Sequence, residues 1–290
     1  MTERVEKGKF LGQLKSLFIY RYFHKLGLFE SYADPNTKST IDFWLGNCPR
    51  IVYFLDQPRT SSDLTDAAVR FHRGDVRKVT RDPYFKHLFY TGYLIFEHFD
   101  QEFINPQVVF FHDAIELRRK QQFNDGYSAL DFHNDLITYG LDDGDGLREL
   151  VLIVDILTPP AKADDIARDD WIKVKIDNFR SIMDLKARDV SNRYREIFQK
   201  DLTIADKEVE SLVARIKIIK LADLAANMRE TVVDLQRGVD EKHARNGMKD
   251  LDWRIEEFRQ RLMLIEKYFS GFPLLEQMSG DLRYMEKLIS

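Results

Sequence analysis

The sequence predicts an all-α fold, and three observations carry that prediction. Apolar residues recur at three- and four-residue steps through most of the chain, as one face of a helix requires. Two-residue alternation is scarce, and no hairpin dipeptide lies between strand-like runs. Prolines and asparagines punctuate the periodic segments at places where helices start or stop, as at Asn105-Pro106 and Thr158-Pro159-Pro160.

In chain order, Phe10, Leu11, Leu14, Leu17, Phe18, Tyr22 and Leu26 mark one helix face over 10–27. "STIDFWLGNCPRIVYFLDQ" predicts two short helices with a break near Asn47 and Pro49. Ser61-Ser62-Asp63 can cap a helix through 64–73. Asn105 caps and Pro106 opens a helix over 106–120, since proline at the first helical position loses no needed N–H. "LDDGDGLREL" reads as a loop leading into a capped helix over 147–157, which Thr158-Pro159-Pro160 ends. Long periodic segments cover about 168–200, 204–236, 250–269 and 273–289. Residues 160–170, "PAKADDIARDD", are the best linker candidate and read as a surface loop within one domain.

Bulk properties narrow the function. A chain of 290 residues, 44% hydrophobic, can bury one large core or two modest ones. The net charge of -4 and a pI near 6.0 argue against a wide basic surface for duplex nucleic acid, and leave room for a local basic pocket. Cys48 is the one cysteine, so no intramolecular disulfide can form. The N-terminal stretch is charged and lacks a signal-peptide core, and no apolar run approaches the roughly 20 residues a membrane helix needs. The chain therefore reads as soluble and cytoplasmic.

Three stretches carry chemistry. In "VVFFHDAIEL" (108–117), an apolar run ends in His112-Asp113, with Glu116 one turn later. On a helix over 106–120 the three share a face. Imidazole and carboxylate are ligands for a divalent metal, and a neighbouring carboxylate can take a proton from water. Solvent-facing polar groups at a helix start are the plain alternative. In "IIKLADLAANMRET" (218–231), Asp223 and Asn227 lie four apart among Ala222, Ala225 and Ala226. A buried carboxylate needs a partner, which is a metal or, alternatively, Lys220 or Arg229. The third stretch, 67–94, holds His72, Arg77, Lys78, Tyr84 and His87. Each histidine reads either as a satisfied core residue or as a ligand. Arg77 and Lys78 read as a solvated face or a phosphate grip, as do Arg118-Arg119-Lys120. His98, His133 and Cys48 suggest no chemistry.

Together the stretches resemble the HD superfamily of metal-dependent phosphohydrolases, and most closely the hydrolase domain of the RelA/SpoT alarmone family. The resemblance rests on His72-Arg73-Gly74-Asp75-Val76-Arg77-Lys78, Pro83-Tyr84-Phe85-Lys86-His87, His112-Asp113-Ala114-Ile115-Glu116, Lys220-Leu221-Ala222-Asp223 and Asn227-Met228-Arg229. It spans about 65–232. It implies an HD-domain helical bundle with a core over about 60–232, an N-terminal helical extension over 1–59 and C-terminal helices over 233–290. It also implies a divalent metal, manganese by preference, on His87, His112, Asp113 and Asp223. Glu116 would position or deprotonate water, and Asn227 would hold water or the substrate. Arg77, Lys78 and Tyr84 would contact a nucleotide such as ppGpp, whose 3′-pyrophosphate the family removes.

The chain departs from that family at definite places. Leu117 stands where the family keeps a second acid, and Asp75 where it keeps glutamine. Val79-Thr80-Arg81-Asp82 makes the loop before Pro83 one residue longer. The gap from Asp113 to Asp223 is also longer, with extra length in 118–146 and 160–195 that suits a lid or a partner surface, a second copy of the chain included. Two further readings stay open: an HD phosphohydrolase for another nucleotide or phosphoester, and a non-catalytic HD protein that senses a nucleotide or binds a partner.

Overall fold

The computed structural model describes residues 2–56, 62–77, 80–100, 103–122, 126–160, 168–238 and 251–289. Over these residues the chain forms α1 (Thr2–Lys25), α2 (Pro35–Asn47), α3 (Ile51–Leu55), α4 (Ser62–Phe71) and α5 (Phe85–His98). A 3-10 helix (Pro106–Phe111) leads into α6 (Ala114–Gln122), α7 (Ala129–Thr138) and α8 (Asp145–Leu157). Then come α9 (Arg168–Met183), α10 (Ala187–Phe198), α11 (Asp206–Gln236), α12 (Leu251–Phe269) and α13 (Pro273–Ile289). The fold is all-α. Among the described residues the one β-type pairing is an isolated bridge between Val76 and Pro83. No described helix is long and apolar enough to cross a membrane.

Two helices form the centre because each carries a long apolar run. In α5 every residue from Phe85 to Phe96 is buried, and the helix packs on the 3-10 helix and on α11. In α11 the residues Ile218, Ile219, Leu221, Ala222, Leu224, Ala225, Ala226 and Met228 are buried, and Lys220, Asp223 and Asn227 fall on the remaining face. Alanines at 222, 225 and 226 keep the helix thin there, so that α5 can approach closely.

Behind α5 an aromatic cluster ties in the N-terminal helices. Phe89 meets Phe23, Trp44 and Phe54 with ring centroids 5.4, 4.5 and 5.0 Å away. The Trp44 indole N–H donates to the Lys86 carbonyl at 3.2 Å. Aromatic packing of this kind is directional as well as apolar. We expect Phe89→Ala to destabilise the chain by about 3–5 kcal/mol, read as a lower denaturant midpoint with unchanged far-UV helicity. An unchanged midpoint would mean that this cluster does not hold the extension to the core.

Several expected elements are corrected. The helix expected over 106–120 is two: the 3-10 helix, capped by the Asn105 side chain on the Gln107 N–H, and α6. His112 and Asp113 occupy the turn between them. The segment expected over 168–200 breaks at 184–186, where the Asp189 carboxylate accepts the Lys186 N–H and starts α10. The helix expected from 147 starts at Asp145 on Gly144, with no side-chain cap. The α1 face also differs: Ser16, Ile19 and Phe23 turn inward, and Leu11, Leu14, Leu17 and Phe18 are exposed. Hydrophobic periodicity ran on both sides of this helix, and only one side meets the core. Ser61 and most of 160–170 lie outside the described residues.

Candidate metal centre

Three elements bring four side chains together. His87 projects from the first turn of α5, His112 and Asp113 from the turn after the 3-10 helix, and Asp223 from the middle of α11. One ligand atom from each lies within 4.8 Å of all the others. Ligands about 2.0–2.2 Å from a shared ion would stand at most about 4.4 Å apart, so the spacing needs only a small contraction. Both histidines and Asp223 are buried, and Asp113 is half-buried.

The ring nitrogens are the sharpest sign that a group belongs there. His112 Nδ1 lies 2.8 Å from the Val109 carbonyl, which can only accept, so Nδ1 carries a proton. In the neutral ring Nε2 is then a lone-pair donor aimed inward, 3.3 Å from Asp113 and 3.5 Å from Asp223. His87 Nε2 lies 3.3 Å from the same Asp223 oxygen, and its Nδ1 lies 3.4 Å from Glu230. Neither Nε2 atom is in hydrogen-bonding geometry with any neighbour. Buried polar atoms without partners are costly, and two such nitrogens facing two carboxylates match the nitrogen-and-oxygen donor set of a divalent metal.

The electrostatics agree. Burial opposes charge on His112, but Asp113 and then Asp223 outweigh it and push the imidazole up to about 10. His87 is raised too, with Glu230 and Asp223 overcoming burial. Asp113 and Asp223 sit far below the usual carboxylate range despite burial, held there by His112 and by Lys220 respectively. The two carboxylates require positive charge at their centre. A metal held between them would supply it and displace any proton from the ring nitrogens.

A second layer fixes the ligands. The Tyr84 hydroxyl donates to Asp113 Oδ2, and the Asn227 amide donates to Asp223 Oδ1 at 2.6 Å. Lys220 donates to Asp223 Oδ2 at 3.0 Å, so this expected alternative partner is present beside the cluster, whereas Arg229 pairs with Asp281. Arg77 is held by Glu230 at 2.7 Å and lies over the Tyr84 ring. Its loop is closed by the Arg77 N–H to Asp82 carbonyl bond and the Tyr84 N–H to Asp75 carbonyl bond, both 2.8 Å. Such outer partners set ligand orientation and basicity.

Beside the cluster lies a cavity of about 170 Å³, bordered by Tyr84, Asp113, Glu116, Asp223 and Asn227 on one side and by Lys175, Asn178 and Arg261 on the other. Glu116 reaches it from α6 and is paired with Lys120. The structure thus gathers Tyr84, His87, His112, Asp113, Glu116, Asp223 and Asn227, with Arg77 adjoining. Lys78 lies outside the described residues.

Other candidates resolve into structural roles. His72 is buried with Nδ1 3.0 Å from Asp75, a core pair away from the ligand set. Arg118 lies over the Phe71 ring and bonds its carbonyl, and Arg119 donates to the Tyr127 carbonyl at 2.9 Å. These arginines staple α6 to its neighbours, neither as a phosphate grip nor as a solvated end.

Glu230 was not picked out by motif reasoning, although it lies seven residues, two helical turns, after Asp223 on α11 and so shares its face. Lys175, Asn178 and Arg261 gave no linear signal, because they meet the site from other helices. No family model, curated protein or solved structure matches this chain.

Proposed function

We propose that this protein is a metal-dependent phosphohydrolase of the HD type acting on a nucleotide, with removal of the 3′-pyrophosphate of ppGpp as the leading reaction. The observation that carries the reading is the convergence of His87, His112, Asp113 and Asp223 with unpartnered, inward-facing ring nitrogens. The order of the motifs and their resemblance to the RelA/SpoT hydrolase domain support it. A divalent ion on these four residues, manganese by that resemblance, would neutralise phosphate charge and make a water more acidic.

The chain's own residues then divide the work. Glu116, a carboxylate outside the ligand set on the cavity wall, accepts a proton from water, and its pairing with Lys120 holds it in place. Tyr84 and Asn227 orient Asp113 and Asp223 through the hydrogen bonds above. Arg77 spends one nitrogen on Glu230 and keeps other donors for a phosphate or a purine edge. The reading goes with a cytoplasmic location, as the resemblance implies.

The test is phosphate or pyrophosphate release from a nucleotide panel by the Mn²⁺-loaded chain. Turnover of ppGpp supports the leading reaction, and turnover of another nucleotide keeps the hydrolase while moving its substrate. No turnover by metal-loaded protein sinks the enzyme reading in favour of a nucleotide-sensing module, which Leu117 favours because a second acid is missing there. We expect Leu117→Asp to raise ppGpp hydrolysis about tenfold, short of the 10²–10⁴-fold that a fully positioned acid or base contributes. An unchanged or lower rate would point to a different natural substrate.

A further inference from the structure

The wall of the cavity opposite the metal ligands is built by α9 and α12, which belong to the long insertion and to the C-terminal helices. Lys175 and Asn178 are three apart on α9 and share a face. Arg261 comes from α12, lies over the Phe179 ring at 5.4 Å and spends one nitrogen on Glu257 at 2.5 Å. Its Nε is buried without a hydrogen-bond partner. Lys175 is half-buried, and burial lowers its pKa. Among the described residues it makes no hydrogen bond or ion pair, although α9 offers exposed positions where a lysine costs nothing, such as Lys173.

Two cations with unused donors facing a small enclosed space carry a desolvation cost that an anion would offset. At about 170 Å³ the cavity lies below the roughly 300–1,000 Å³ of pockets that enclose drug-sized ligands. That size suits a phosphate or pyrophosphate group rather than a whole nucleoside. Pro159 and Asn178 also border a wider groove of about 540 Å³, lined further by Arg119, Thr158 and Arg193, and this groove offers room for the remainder of a substrate.

We infer that Lys175 and Arg261, with Asn178, form the phosphate-binding wall of this site, holding an anionic group against the metal centre from helices outside the matched motifs. The inference rests on the hydrolase reading for the identity of the site, but not for the binding of the anion. The probe is inorganic phosphate, titrated calorimetrically into the 290-residue chain with and without Mn²⁺. Lys175→Met removes the charge without orphaning an ion-pair partner, so it is the cleaner variant. Arg261→Gln leaves Glu257 unpaired and requires a thermal-melt control.

We expect Lys175→Met to weaken phosphate binding about tenfold or more with unchanged bound metal and melting temperature. Lys175→Arg should retain most of the affinity, and Lys173→Met on the exposed face should be silent. In turnover, Lys175→Met should raise KM more than it lowers kcat. Wild-type-like phosphate affinity in Lys175→Met, or no phosphate binding by the wild type in either condition, overturns the inference. If the chain takes up no metal yet binds phosphate through Lys175, the hydrolase reading falls and the anion wall stands. If it hydrolyses nucleotides and Lys175→Met behaves as wild type, the anion wall alone falls.

Discussion

Asp223→Ala is expected to abolish stoichiometric metal binding and, with it, hydrolysis. Asp223 Oδ1 is the atom that faces both histidines, at 3.3 and 3.5 Å. Glu116→Gln gives the contrasting result. Glu116 lies on the cavity wall and outside the ligand set, so the variant should keep its metal and lose rate by about 10²–10⁴-fold, the usual contribution of general base catalysis. Metal content and single-turnover rate, measured on the same preparations, separate the two roles. Stoichiometric metal in Asp223→Ala would break the four-ligand assignment, and loss of metal in Glu116→Gln would make that residue a ligand.

Glu230→Ala is the second large effect, and it is one of stability. Glu230 is almost wholly buried, pairs with Arg77 at 2.7 Å and lies 3.4 Å from His87. Removing it leaves the half-buried Arg77 without its carboxylate and strips one of two from the buried His87, a change that costs up to about 3–5 kcal/mol. Its pH signature follows from the Glu230 pKa. Burial alone would raise that pKa, but Arg77 and His87 depress it to about 2, below its ordinary value of 4.5. A depressed acid stabilises the fold fully above the unfolded pKa and loses that contribution as pH falls through the folded one. The excess stability of wild type over Glu230→Gln should therefore shrink between about pH 4.5 and pH 2 in denaturant titrations. A pH-independent difference would mean that Glu230 acts through packing rather than charge.

The fold class was legible because helical periodicity is a local property, and α5 and the middle of α11 carry long apolar runs. The ligand set was legible only through the spacing and order of motifs, since nothing local says that α5, the turn at 112–113 and α11 meet. The shape of that turn was not legible. Pro106 and the run after it suit a 3-10 helix as well as an α-helix, and the change of winding leaves His112 and Asp113 in the turn between the two helices. Asn227 and Glu230 follow Asp223 at helical spacings, so the role of one and the place of the other were within reach of sequence. Lys175 and Arg261 were beyond it, being 86 residues apart and joined only by the packing of α9 on α12. The exposed Leu11, Leu14, Leu17 and Phe18 illustrate the converse, an apolar face that periodicity detects but the core does not use.

The central claim is that His87, His112, Asp113 and Asp223 hold one divalent ion. Elemental analysis of the purified 290-residue chain, after Mn²⁺ loading and exhaustive dialysis, tests it most directly. The account predicts about one equivalent of metal in wild type and none in Asp223→Ala. A folded wild-type chain that emerges from dialysis with no metal, or a variant that keeps it, would contradict the account.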